Sequence, residues 1–227
     1  MMTKIQIYTI QSVEEALELA DLGIDHIGVT PASRGLPGEI DIKTAYSICK
    51  SVKDSLVTVA LSVESDINLI LSMVKEVKPQ ILHLCSPEGF ITPQSIKDLK
   101  ERLYTNNIDI EIMQAISVKG FESVENAISY VEEVDYLILD TQSKDVYGIG
   151  ASGDTHDWNV SKEIVNSVDI PVILAGGLSP ENVSDAIRHV NPWGVDSLTH
   201  TNKPLPGGGF VKDIEKVKSF VSASRHG

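Results

Sequence analysis

Short apolar runs alternate with amphipathic stretches eight times along this chain. Residues 5–8 form the first apolar run and predict a strand. Ser12-Val13-Glu14-Glu15 then has the spacing of a capping box, with Ala16, Leu17, Leu19 and Ala20 on a helical period and Gly23 as the stop. The same alternation predicts strands at 26–29, 56–61, 81–84, 108–116, 136–139, 171–175 and 194–197. Helices are predicted at 41–52, 65–77, 92–103, 123–132, 158–168, 179–189 and 213–222. Thr92-Pro93 places proline at the first helical position, and Ser179-Pro180-Glu181-Asn182 reads as a cap for the seventh helix. Loops are expected at 30–39, which carries Arg34 among prolines and glycines, at 141–157, and in the proline- and glycine-rich stretch before the last helix.

These strands are apolar on both faces, as in parallel sheets covered by helices. Eight βα units in 227 residues predict one α/β domain over residues 1–227, a closed (β/α)8 TIM barrel. An open doubly wound sheet would place its glycine-rich phosphate turn after the first strand. Here Gly176-Gly177 follows the seventh.

The net charge of −13 argues against nucleic acid and anionic membranes, both of which attract Lys and Arg. Cys49 and Cys85 have neither disulfide-framework nor metal-ligand spacing. The first residues lack the apolar core of a secretory signal, and no apolar run reaches membrane-spanning length, so a cytoplasmic protein is expected. No nucleotide fingerprint or metal-ligand cluster occurs, and neither cofactor nor metal is expected.

Barrel enzymes carry their chemistry where strands end. That criterion selects Gln6 and Tyr8, Arg34, His83 and Cys85, Gln114, Asp140, Gly176-Gly177, and Asp196 to His200. Gly176-Gly177 suits a phosphate cradle, because glycine lets backbone N–H groups approach an anion, although a tight turn needs the same residues. Thr199 and His200 follow strand eight, the other common phosphate loop. Asp140 ends strand six and is a general acid or base if its surroundings tune it; the plainer role is a cap for the next loop. Arg34 could hold an anion through its planar fork, or lie solvated. His83 and Cys85 alternate on strand four and so share a face. A histidine in an apolar strand is more commonly packed than catalytic. Of the other histidines, His26 lies early in its strand, His189 and His226 read as surface residues, and His156 and His200 fall in loops on the functional side.

The chain resembles the phosphoribosylanthranilate isomerase family over nearly its whole length. The resemblance is strongest in Leu137-Ile138-Leu139-Asp140-Thr141 and in Gly150-Ala151-Ser152-Gly153 followed by Thr155-His156-Asp157-Trp158. Leu174-Ala175-Gly176-Gly177-Leu178-Ser179-Pro180-Glu181-Asn182-Val183 is a specific match, and Gly194-Val195-Asp196 and Lys212-Asp213 also fit. The resemblance implies an Amadori rearrangement of a phosphoribosyl amine to an amino ketose phosphate in tryptophan biosynthesis. A general acid protonates the ring oxygen and a general base removes the C2′ proton. It assigns the acid to Asp140, a substrate-contacting arginine to Arg34, further substrate contact to Asp196, and half the phosphate site to Gly176-Gly177.

The family begins Lys-Ile-Cys-Gly-Ile-Thr, with the cysteine as base, and Lys4-Ile5-Gln6-Ile7-Tyr8-Thr9 sets Gln6 in its place. A neutral amide has no useful basicity. Strand four reads His83-Leu84-Cys85-Ser86 against Gln-Leu-His-Gly, and Leu198-Thr199-His200 replaces Ser-Ser-Gly. Three readings follow: the family reaction with a relocated base, for which His83 and Cys85 are candidates; a related enzyme on another phosphorylated sugar; or a non-catalytic binder of a small phosphorylated metabolite. They part on whether a basic group stands near Asp140 at the barrel mouth.

Overall fold

The computed structural model describes residues 2–141, 147–150 and 153–227. Eight parallel strands close in sequential order: β1 (Lys4–Ile7), β2 (His26–Val29), β3 (Val57–Ser62), β4 (Ile81–Leu84), β5 (Glu111–Ser117), β6 (Tyr136–Asp140), β7 (Val172–Leu174) and β8 (Gly194–Ser197). Closure is made by β1 against β8, with Gln6 in register with Asp196. The connecting helices are α1 (Val13–Ala20), α2 (Ile42–Val52), α3 (Ile67–Val77), α4 (Pro93–Thr105), α5 (Glu122–Tyr130), α6 (Trp158–Ser167), α7 (Val183–Val190) and α8 (Ile214–Arg225). This is the single (β/α)8 barrel that the alternation predicts.

Strand periodicity divides the core in two. Ile5, Ile7, Leu82, Leu84, Leu137, Leu139, Leu174 and Val195 face the helices. The alternate residues Tyr8, Val59, Ile81, Cys85, Met113, Ala115, Ile138 and Ile173 fill the barrel. Trp193 packs at the N-terminal end of this interior, its ring 5.7 Å from that of His26 and 5.4 Å from that of Tyr136. The same alternation turns Asp140 and Asp196 inward, because their neighbours Leu139 and Val195 face out.

Three local features differ from the sequence expectation. Strand β5 begins at Glu111 rather than 108, because the chain turns after α4 with Asn107 at φ 55, and Ile108 and Ile110 pack on the outer core. The stretch before α8 is not plain loop: a 3-10 turn (Thr199–Thr201) leads into an antiparallel hairpin of β9 (Asn202–Pro204) and β10 (Phe210–Lys212). Its tip has Gly207, Gly208 and Gly209 all at positive φ. The Ser12 box is half made. Ser12 accepts from Glu15 N–H, but the Glu15 carboxylate receives Gln11 N–H (2.7 Å) and Lys212 N–H (2.6 Å), so it pins the hairpin to α1.

Gly28 on β2 is required by contact. A Cβ there would stand 2.5 Å from the Tyr8 ring. Gly28→Ala should therefore destabilise the chain by about 1–3 kcal/mol, as overpacking typically does. Urea unfolding checks this, and in a double-mutant cycle the loss should largely disappear when Tyr8→Ala is combined with it.

Candidate active site

A pocket at the C-terminal mouth of the barrel is lined by Tyr8, His83, Asp140, Ile149, Gly176, Gly177, Asp196, Thr199 and His200, among others. Of the residues expected at the site, Asp140, His83, Asp196, Gly176, Gly177, Thr199 and His200 are thus brought together. Gln6, Arg34 and Gln114 do not line the pocket, and Cys85 lies behind Ile149.

Asp140 ends β6 half-buried. Its Oδ1 accepts Thr141 N–H at 2.7 Å, and a Cβ on Gly150 would overlap its other oxygen. Loss of water raises the Asp140 carboxyl to about 7, against the pull of that one hydrogen bond. Asp196 is buried, and its Oδ1 has no hydrogen-bond partner among the described residues. Desolvation first, then repulsion from Asp140, raise it to about 7 as well, with the Gln6 amide and Lys212 acting in the opposite direction. Two carboxylates in one dry mouth resist double ionisation.

The two candidate bases on β4 do not suit that role. His83 Nδ1 shares a hydrogen bond of 2.8 Å with the Tyr8 hydroxyl. Burial lowers its imidazole to about 3, too weak a base for carbon acids at neutral pH. Cys85 donates its thiol to the Ile149 carbonyl at 2.9 Å, and burial first of all pushes it up to about 12. A thiol so raised carries almost no thiolate at pH 7.

Gln6, expected at the mouth, does not reach it. It points inward one step deeper than the mouth, accepting from His26 Nδ1 (3.3 Å) and lying against Asp196. Tyr8, two residues on, is the β1 side chain that reaches the pocket. Thr9 follows it at φ 62, in the left-handed region that glycine favours.

Arg34 is engaged elsewhere. Its guanidinium meets Glu64 through Nε (2.8 Å) and Nη2 (2.6 Å) and lies 5.6 Å from the Tyr147 ring centre. Gln114 faces away from the barrel interior, because its neighbours Met113 and Ala115 fill it, and it donates to the Ala115 carbonyl. His156 is held by Thr141 and Ser161 at 3.1 and 2.7 Å. His26 is buried in the barrel floor, and His189 and His226 are peripheral as expected.

Gly176 and Gly177 take φ 79 and 63. A Cβ on Gly177 would stand 2.7 Å from the Asp154 backbone, so the close approach needs glycine. Helix α7 starts only at Val183, and Asn182 does not cap it with its side chain. Instead Asn182 accepts Ser179 N–H (2.8 Å) and donates to the Gly177 carbonyl (3.0 Å), which fixes the turn. Across the gap, His200 bonds the Gly153 carbonyl at 3.0 Å, and Ser197 Oγ ties β8 to the Leu178 carbonyl at 2.8 Å. Ala151 and Ser152, part of the Gly150–Gly153 motif, lie outside the described residues. Among the described residues no cluster of His, Cys, Asp and Glu could hold a metal, and no helix is long and apolar enough to cross a membrane.

Two features of the pocket went unread in the sequence. Ile149 lines the pocket and packs into the interior cluster, and Asn182 buttresses the glycine turn. Both depend on where loops land, and neither residue type signals it.

The model of the N-(5'-phosphoribosyl)anthranilate (PRA) isomerase family matches residues 5–223. The chain belongs to this family. The N-(5'-phosphoribosyl)anthranilate isomerase of Methanocella arvoryzae is 31% identical over 224 residues, covering 99% of each chain. N-(5'-phosphoribosyl)anthranilate isomerase 2 of Methanosarcina mazei is 33% identical over 224 residues, 98% of this chain and 94% of its own. The crystal structure of phosphoribosyl anthranilate isomerase from Thermotoga maritima superposes with a TM-score of 0.78 at 25% identity, covering 98% of both chains.

The electrostatics of the mouth have a stability consequence. A carboxyl whose folded value of about 7 exceeds its ordinary 3.8 favours folding most below pH 3.8. That contribution is lost as pH climbs toward 7. Asp140→Asn should therefore unfold at higher urea than the wild type at pH 8, with a much smaller difference at pH 4.

Proposed function

We propose that this protein isomerises N-(5'-phosphoribosyl)anthranilate to the amino ketose phosphate in tryptophan biosynthesis, working in the cytoplasm. The observation that carries the reading is a raised carboxyl, Asp140, in the same pocket as the Gly176-Gly177 turn. Family membership supplies the substrate, and the pocket supplies groups for its two ends.

The phosphate end belongs at Gly176, Gly177, Thr199 and His200. Backbone N–H groups at two positive-φ glycines form an anion-binding concavity, and the 3-10 turn after β8 closes its other side. Asp140 is the acid. A carboxyl near 7 is still substantially protonated at neutral pH and gives its proton to the ring oxygen as the C1′–O bond breaks. Tyr8-Thr9, rather than Gln6-Ile7, stands in for the family's Cys-Gly. Tyr8 lines the mouth, and Thr9 has the backbone conformation expected of a glycine that follows the base. The family thiol is thus replaced by a phenol that is bonded to His83 and held far above its ordinary value by burial.

A related isomerase acting on another phosphorylated sugar is the second reading. Tyr8 and Ile149 fill the mouth beside Asp140, and Arg34 is paired with Glu64, which leaves less to greet an anthranilate carboxylate.

Turnover of freshly generated phosphoribosylanthranilate tests the proposal. The wild type should convert it, and Asp140→Asn should lower kcat by about 10²–10⁴-fold, the usual span for a lost acid. No conversion by folded wild type that binds ribose 5-phosphate would favour the second reading. Asn182→Ala removes two hydrogen bonds from the phosphate turn, each ordinarily worth about 1 kcal/mol, and should raise KM roughly tenfold with kcat little changed.

A further inference from the structure

The isomerase reading leaves one step without an agent: removal of the C2′ proton. Gln6 and Cys85 stand behind the pocket lining, and Tyr8 and His83 stand within it. Gln6 is a neutral amide, held by His26. The Tyr8 hydroxyl and His83 Nδ1 are bonded to each other. The Cys85 thiol is turned away to the Ile149 carbonyl. His200 is tied through Nε2 to the Gly153 carbonyl on the side assigned to the phosphate. Two carboxylates remain, and Asp140 is used as the acid. Asp196 lines the same pocket from β8, is 6% exposed, and carries an oxygen, Oδ1, with no hydrogen-bond partner among the described residues.

We propose that Asp196 is the general base, taking the C2′ proton in place of the family's cysteine. This rests on the isomerase reading. Asp140 gives its proton to the ring oxygen, the C1′–O bond breaks, and the nitrogen lone pair forms the C1′=N iminium. Asp196 then takes the proton from C2′. The C–H electron pair becomes the C1′=C2′ double bond, and the iminium electrons return to nitrogen. The enaminol becomes the ketone by losing its O2′ proton and gaining one at C1′, which leaves the substrate isomerised. Asp196 now holds one proton and Asp140 none. Proton exchange through the pocket that both carboxyls line restores the starting state, with no cofactor or co-reactant.

The surroundings of Asp196 suit this exchange. Facing it are Gln6 from β1, Tyr8 and Cys85 just past the ends of β1 and β4, Asp140 from β6 and Lys212 from β10. Of these, Asp140 is the group that repels its charge, and Lys212 the one that favours it. Both carboxyls are raised to about 7, so near neutral pH the pair tends to hold a single proton between them.

The test uses the full chain and phosphoribosylanthranilate, with kcat followed from pH 5 to 9 in wild type, Asp196→Asn and Asp140→Asn. The expected wild-type profile is a bell, its limbs belonging to the pair. Asp196→Asn should lose about 10²–10⁴-fold in kcat. It should keep KM within a few-fold and lose the rising limb, whereas Asp140→Asn should lose the falling one. Should the asparagine variant not fold, Asp196→Glu keeps the charge but moves it by one methylene. It should cost at least about tenfold while retaining the rising limb. Asp196→Asn within tenfold of wild type and with its rising limb intact, or Asp196→Glu with unchanged kcat, overturns the base assignment and leaves the isomerase standing. A folded wild type with no turnover overturns both together.

Discussion

Water is excluded from the interior of this barrel, and the chemistry of its mouth follows from that exclusion. Desolvation disfavours the charged form of every ionisable group, but it moves different groups in different directions relative to neutral pH. A histidine starts at 6.5 and is pushed out of range, to about 3 for His83 and about 4 for His26. A thiol starts at 9.0 and is pushed further away, to about 12 for Cys85. A carboxyl starts at 3.8 and is carried up to about 7, as at Asp140 and Asp196. In this dry interior the carboxyls, and from the other side the buried Lys212 amine, lowered by burial to about 7, are therefore the groups brought toward the working pH.

This bears on how a family can survive the loss of its thiolate. A cysteine base needs a local device to hold its charge, such as a cation or a helix N-terminus. Once Tyr8 occupies the end of β1, its ring lies against Gly28 and its hydroxyl is tied to His83. What is left beside Asp140 is a second carboxyl already in the barrel wall. Its position is fixed by the β1–β8 register that closes the barrel, Gln6 against Asp196. Closure of the fold and the placing of the proposed acid–base pair thus depend on the same strand pairing.

The glycine-turn side of the pocket, where the proposal puts the phosphate, is built from backbone, and its shape depends on supports that carry no charge. Asn182 holds the Gly176-Gly177 turn from one side, Ser197 anchors Leu178 from the other, and His200 bridges to Gly153. The hairpin of β9 and β10 is fastened to α1 by Glu15, which keeps the turn after β8 in place. Net charge need not oppose the proposed phosphate site: in a protein of −13, N–H groups at positive-φ glycines would serve in place of massed lysines.

The sequence by itself determined the barrel, because short apolar runs and helical apolar patterns are local and recur eight times, and a closed sheet is the way such units bury both faces. It also determined that Asp140 and Gly176-Gly177 lie at the mouth, since strand ends follow from the same pattern. Tertiary structure decided what the sequence could not. Whether Gln6 or Tyr8 reached the pocket depended on how deep β1 sits against β2 and β8. Arg34 and Gln114 were lost from the site to partners and faces set by neighbouring strands. His83 and Cys85 shared the inner face as their alternation required, yet their protonation was governed by burial, a property of the whole enclosure. Asp196 took on its character from burial first and then from Asp140, 56 residues away in the chain. Residue type and spacing are local, whereas pKa, partner and exposure arise from groups that only folding brings together.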